Sequence, residues 1–555
     1  MLLDVYPDKA TYRPGETVQL NVRLAGQVQS DGHVAASITF LSSVVTRLAQ
    51  PVRLVAGEPV TAGLRWTPPV VAPCGYGVDV QVLDGAGTTL AQASTAFDVL
   101  EHWTQAPRYG FLTDFGPARA DFDRTMRWLA RYHINGVQFY DWMYRHEQLL
   151  PPADVFDDPL GRRLSLVTIE RLIDAAHTRN IAAMPYSAVY AASVPFFRQH
   201  PGWGLLDAAE QSIPFGEDFL MIMNPAPGSR WTAHLQRQFA EVLAKTAFDG
   251  IHLDQYGDPK VAYDSDGKRL DLARVLPEFI DLTKETATTV RPGATVVLNC
   301  VGNWPIERAA ASRQDFAYIE VWPPHTLYGD LHTLIVEAQA LGGGKPVVLA
   351  AYIDPAQARN AILADAVIFA SGGYHIELGE PGGMLADPYF PNYGQMSDSL
   401  ATILRRYYDF AVRYENLLSQ GTRDTTARQA AQVAIEGTDT DAGGTCGKVC
   451  VITRDGEGYE TISLINLLNV TDPEWNSLQE MDMAPVTDLR VRYYPSWPVR
   501  QIWWASPDVE NLRARPLDFN VGSDRQGTYV TFTVPLLVCW DLIVLERADR
   551  PKETT

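Results

Sequence analysis

FDGIHLDQYGDP, residues 248–259, sets Phe248, Ile251, Leu253 and Tyr256 between Asp249, His252, Asp254 and Asp258. Its first half has the pattern of a short buried strand, yet that strand ends on a carboxylate. An unpaired buried charge costs several kcal/mol or shifts its pKa until it is neutral. Asp254 is therefore either paired with a cation or placed where a strand opens into a site.

Working outward, seven more short apolar runs share this character: RYGFLT (108–113), GVQFY (136–140), AAMPY (182–186), TVVLN (295–299), FAYIE (316–320), PVVLA (346–350) and AVIFA (366–370). Helix-length segments separate most of them. One carries a stripe of Phe122, Met126 and Leu129. Another sets Ile169, Leu172, Ile173 and Ala176 at helical spacing, with Thr168 as the expected cap. Eight strands alternating with helices predict a central (β/α)8 TIM barrel over residues 106–425. A doubly wound sheet is the main competitor, but no G-x-G-x-x-G or G-K-[ST] loop follows the early strands.

The flanks read differently. Residues 1–105 alternate in TYRPGETVQLNVRL (Val18, Leu20, Val22, Leu24), SITFLSSVV and YGVDVQVLD, the pattern of an immunoglobulin-like β-sandwich. Residues 426–555 return to strands, with an Asp-Gly turn expected in VCVITRDGEGYETISLINLLN, and predict a C-terminal antiparallel β-sandwich. The whole is multidomain.

Lys and Arg number 46 against 66 Asp and Glu, a net charge of −20, which opposes a nucleic-acid partner. No apolar run approaches the ~18 residues of a membrane span. The N-terminus, MLLDVYPDKA, lacks the basic start of a signal peptide, so the chain is expected to be intracellular or to have lost its leader. Five scattered cysteines make no disulfide framework; Cys446 and Cys450 in GGTCGKVC suit the edge of a hairpin better than a bond or half a metal site.

Active sites of such barrels lie at the C-terminal strand ends. Those ends carry Asp114, Tyr140–Asp141, Tyr186, Asp254, Asn299 and Glu320, and Tyr374-His375-Ile376-Glu377 follows the eighth run. By the two-residue period of a strand, His252 faces the mouth with Asp254, and Tyr318 with Glu320. Two carboxyls from strands four and six reach ~5–6 Å, the spacing of a retaining glycosidase. Trp322, Pro323 and Pro324 beside Glu320 favour a protonated acid there, and Asp254 is then the ionised nucleophile in wetter surroundings. Tyr140, Trp142, Tyr144, Tyr190, Trp203, Tyr256, Trp304 and Trp322 cluster near the strand ends and suit sugar faces as well as core filling. A metal site built on His252, Asp254 and His375 is the competing chemistry, and it lacks the H-x-H pair such barrels place on the first strand.

YGFLTDFG, GVQFYDWMYRH, DGIHLDQYGDP, YIEVWPP and GGYHIELGEPGGMLADPYFPNY, in this order, resemble glycoside hydrolase family 66. That family holds endo-dextranases and cycloisomaltooligosaccharide glucanotransferases. The resemblance implies retaining cleavage of α-1,6-glucan, with Asp254 as nucleophile and Glu320 as acid/base. It makes Asp141 a holder of sugar hydroxyls, the other reading of Asp141 being a helix cap after strand two. The remaining residues expected to bind substrate are Tyr140, Gln138, Tyr186, His252, Asn299, Trp322, His375 and Glu377. No cofactor and no metal is expected.

The cyclising members usually carry a carbohydrate-binding β-module inserted inside the barrel region. The stretch from Tyr186 to Asp249 is too short for one and shows no strand-rich block, which favours an endo-dextranase releasing isomaltooligosaccharides over a cyclising glucanotransferase. A catalytically inactive glucan-binding protein on this fold would lack a carboxylate, and both are present. The expected partner is an α-1,6-glucan, with no nucleic acid and no membrane. The resemblance implies a secreted protein, although the chain shows no signal peptide.

Overall fold

The computed structural model describes residues 2–26, 30–217, 219–478 and 483–548. At its centre stand eight strands: β1 (Tyr109–Leu112), β2 (Gly136–Phe139), β3 (Ala182–Ala188), β4 (Gly250–Asp254), β5 (Thr295–Val301), β6 (Ala317–Glu320), β7 (Val347–Ala350) and β8 (Tyr374–His375). They pair in chain order, each with the next and all parallel. The Phe111 N–H of β1 donates to the Leu378 carbonyl just beyond β8 at 3.2 Å, which draws the two edges into a nearly closed barrel.

The longer helices are α1 (Phe122–Arg131), α2 (Leu166–His177), α3 (Arg230–Lys245), α4 (Leu272–Val290), α5 (Tyr328–Leu341), α6 (Ala358–Ala370) and α7 (Asp398–Arg413), with a single turn, Ile306–Ala309, between β5 and β6. Strand alternation sorts the side chains. Ile251 and Leu253 of β4 pack outward with the helices, while Val297, Tyr318 and Val348 fill the barrel interior. Each face thus buries apolar area, at roughly 25 cal/mol per Å².

Two local expectations are corrected. AVIFA is not the eighth strand but the end of α6, whose residues from Asn360 to Ala370 are all buried; a helix enclosed on every side shows the same unbroken apolar run as a buried strand. The true β8 is two residues long, too short to show a period. The cap of α2 is Ser165, whose hydroxyl accepts the Thr168 N–H at 3.2 Å, placing Thr168 inside the first turn.

Before the barrel, a three-stranded sheet (Leu2–Pro7, Val18–Ala25, Val60–Trp66) and a four-stranded sheet (Ser30–Phe40, Ser43–Leu54, Cys74–Asp84, Thr89–Val99) share one core through Val22, Leu64, Val80 and Phe97. This sandwich braces α7: buried Arg413 donates to both carboxylate oxygens of Asp79 at 2.8 and 2.9 Å, and Thr95 donates to Asp409 at 2.7 Å. After the barrel, a seven-stranded and a four-stranded sheet enclose Leu464, Val491, Trp504 and Val534. The hairpin there (Val449–Gly456, Tyr459–Asn466) turns at Glu457-Gly458 rather than at Asp455-Gly456, since Gly456 already pairs with Tyr459 and Gly458 takes the positive φ of 81°. All five cysteines are free thiols. Among the described residues no helix is long and apolar enough to cross a membrane.

Candidate active site

A cavity of about 460 Å³ opens at the C-terminal ends of the strands. Its floor is aromatic. The His252 ring stacks between Tyr109 and Tyr186 at interplanar angles of 20° on either side and meets Tyr318 edge-on at 5.0 Å. Burial there pushes the imidazole down to about 3, so it is neutral, and one ring nitrogen pairs with the Tyr109 hydroxyl at 3.2 Å.

Above this floor β4 ends on Asp254 and β6 on Glu320, joined by Asn299 from the intervening β5. The Asn299 Nδ2 donates to Asp254 Oδ1 at 2.9 Å and to Glu320 Oε2 at 2.8 Å. The two N–H bonds of an amide diverge by about 120°, which sets the two oxygens roughly 5 Å apart, as in a retaining pair. Tyr186 donates its hydroxyl to the other Asp254 oxygen at 2.8 Å, and Tyr352 donates to Glu320 Oε1 at 2.9 Å. No lysine or arginine pairs with either acid among the described residues. Asp254 is thus held by hydrogen bonds at the opening of a site and is no half of a structural ion pair.

Burial, and then the charge of Glu320, raises Asp254 to about 7, against the lowering effect of the Tyr186 and Asn299 donors. This differs from the wetter setting expected from sequence, because Tyr186, Tyr256 and Tyr318 wall the cavity around it.

Asp141 lines the same cavity with a left-handed φ of 50°. No helix starts there: the next begins at Leu166, so the capping role is excluded. Arg162 holds the turn by donating to the Asp141 carbonyl at 2.8 Å and is itself fixed by Asp158 at 2.6 Å. Burial raises the Asp141 carboxyl to about 7, opposed by the Arg162 guanidinium 3.9 Å away.

Gln138, Tyr140, Tyr186, His252, Asn299 and Trp322 also line the cavity. The side-chain oxygens of Gln138 and Asn299 are buried without a hydrogen-bond partner. Such atoms cost about 1–3 kcal/mol each unless a ligand or water satisfies them, and a polyhydroxylated ligand supplies donors. Trp322 is 38% exposed at the rim and leans on Tyr352.

His375 and Glu377 do not line this cavity, and this corrects their expected substrate contact. They alternate with Tyr374 and Ile376, which take the barrel interior, so their own side chains face α6 and α7. There His375 Nδ1 meets Asp365 at 2.9 Å, its Nε2 meets the Ala351 carbonyl at 3.0 Å, and Tyr408 donates to Glu377 at 3.0 Å. Asp365, His375 and Glu377 are the one group with metal-ligand spacing among the described residues, and it stands outside the cavity. The competing set of His252, Asp254 and His375 is not assembled.

Of the aromatic residues singled out by sequence, Trp142 and Tyr190 are wholly buried filling, whereas Tyr140, Tyr256 and Trp322 reach the cavity. Tyr352 is not among the residues the sequence singles out. It lies two residues beyond Ala350, the last residue of PVVLA, and the strand period carried two residues further points it at the mouth.

A sequence model described as "Glycosyl hydrolase family 66" matches residues 7–544. The chain is 26% identical to a cycloisomaltooligosaccharide glucanotransferase of Niallia circulans, over 98% of this chain and 71% of that protein. It is 22% identical to a dextranase of Streptococcus salivarius, over 85% of this chain and 67% of that one. In three dimensions it is similar to a cycloisomaltooligosaccharide glucanotransferase of Paenibacillus sp. complexed with cycloisomaltoheptaose, with a TM-score of 0.91 at 24% identity, covering 97% of this chain and 99% of that one.

Proposed function

The chain belongs to glycosyl hydrolase family 66, and from that premise we propose that it is an endo-dextranase, hydrolysing α-1,6-glucosidic bonds with retention of configuration. The observation that carries the reading is the single Asn299 amide that holds Asp254 and Glu320 together. Asp254 attacks the anomeric carbon and forms a glucosyl ester while Glu320 gives its proton to the departing O6. Glu320 then takes a proton from water, which displaces the sugar from Asp254. The Tyr186 and Asn299 donors favour the ionised form of Asp254. Asp141, Gln138 and Asn299 offer acceptors to the hydroxyls of the sugar at the cleavage point. A polymer of this kind is met outside the cell, so the reading carries an extracellular place of action.

Hydrolysis is preferred over cyclisation because of the stretch between β3 and α3. Its described residues hold a short helix, Val194–Gln199, a 3-10 turn, Pro201–Trp203, and a small sheet of Ala191–Ser193, Pro214–Phe215 and Leu220–Ile222. That sheet is more strand than the sequence suggested but no added module. The cyclising alternative has its own support, since both the Niallia relative and the Paenibacillus structure bear that name; the alignment to the Niallia protein runs over 701 positions, so that relative carries residues this 555-residue chain lacks.

The test is chromatography and mass analysis of products from dextran, beside the Asp254→Asn variant. Linear isomaltooligosaccharides that vanish with the variant support the reading. Rings, one water lighter than their linear counterparts, select the cyclising alternative.

A further inference from the structure

Beside the catalytic cavity runs a groove of about 1110 Å³, more than twice its volume. Three residues, His146, Phe219 and Leu220, line both spaces, so the two meet along one wall. The groove starts at the loop that follows Asp141 and passes between Tyr144–Pro151, the short helix Val194–Gln199 and α3 as far as Lys245. It lies on the Asp141 side of the mouth.

Its chemistry is mixed. Tyr144 and Phe196 supply aromatic surface, and Gln148, Gln199, Gln238 and Glu241 supply hydrogen-bonding groups. Aromatic side chains lining one groove with amides and a carboxylate match hexose rings, whose C–H faces are apolar and whose rims carry hydroxyls. Phe219, 39% exposed, stands at the junction. So does His146, which is 6% exposed and has Nδ1 without a hydrogen-bond partner. Burial pushes this imidazole down to about 4, so it is neutral, with one ring nitrogen free to accept and the other to donate. GVQFYDWMYRH ends on this histidine, and the catalytic pair makes no use of it.

We propose that the groove is a glucan-binding track that holds the part of a linear α-1,6-glucan running on from the bond at Asp254 and Glu320, with His146 bonding the chain as it crosses the wall. The inference rests on the reading of the enzyme as α-1,6-glucan-cleaving and adds the origin of its endo action. Chains long enough to enter the track gain contacts that short ones cannot make.

The test uses the full chain with Asp254→Asn to prevent turnover, titrated calorimetrically with isomaltotriose and isomaltoheptaose. The affinity for the heptaose is expected to exceed that for the triose by tenfold or more. Adding Tyr144→Ala is expected to cut this ratio at least threefold. Gln199→Ala, on an exposed site of the short helix, does the same if the tyrosine change disturbs folding. A length ratio near one, or one that neither substitution alters, overturns the track while leaving the catalytic reading intact. Absence of binding by either sugar overturns both.

Discussion

Tyr352 donates its hydroxyl to Oε1 of Glu320 at 2.9 Å, while Asn299 takes the other oxygen of the same carboxyl. Its carboxyl is thereby fixed at both oxygens before substrate arrives. Hydrogen bonds to a charged group are worth about 1.5–3 kcal/mol, and one RT ln 10 is about 1.4 kcal/mol. Tyr352→Phe is therefore expected to lower kcat roughly ten- to a hundredfold, with a smaller change in KM. A kcat like that of the wild type would show that the contact is idle.

Asn299 serves both acids, so its loss is felt twice. Asn299→Ala is expected to lower kcat by on the order of a hundredfold or more through the two charge-assisted bonds removed. The melting temperature should shift little, because the residue fills the mouth and not the apolar core. Steady-state kinetics and thermal unfolding of the same preparation check both halves.

Asp141 begins no helix, so its substitution removes no cap. Asp141→Asn keeps the shape and removes the charge, and is expected to reduce kcat/KM on dextran by at least a hundredfold with a nearly unchanged melting temperature. Loss of stability with normal turnover would assign Asp141 to the turn held by Arg162 and Asp158 instead.

Asp365 offers a test by pH. Burial raises it from 3.8 to about 7, so the folded state holds its proton more tightly than the unfolded chain. Stability from such a group is full below about pH 4 and is lost as pH rises through 7. Asp365→Asn mimics the protonated form at every pH. The variant should match the wild type near pH 4 and exceed it near pH 8, by an amount on the order of a few kcal/mol. Thermal melts of both proteins across this range measure the divergence. A constant difference would mean that Asp365 does not hold the buried proton.

Much of this arrangement is legible in the sequence. The strand period alone put His252 and Asp254 on one face and Ile251 and Leu253 on the other, and the structure sorts them so. It worked because β4 packs against helices on one side and a polar mouth on the other, which gives each face its own chemistry. AVIFA misled because α6 is buried all round and loses the contrast that marks a helix. His375 and Glu377 misled because β8 is too short to fix which side its residues face. Tyr352 and the groove beside His146 depend on which loops meet across the mouth, and that is a property of the closed barrel rather than of any local pattern.

The most direct test of the proposed catalytic pair is proton NMR of reducing ends in the first minutes of dextran cleavage, before mutarotation. Asp254 and Glu320 held roughly 5 Å apart predict α-anomeric products first, by double displacement. β-Anomeric products first would mean a single displacement by water, and would remove Asp254 from the role of nucleophile.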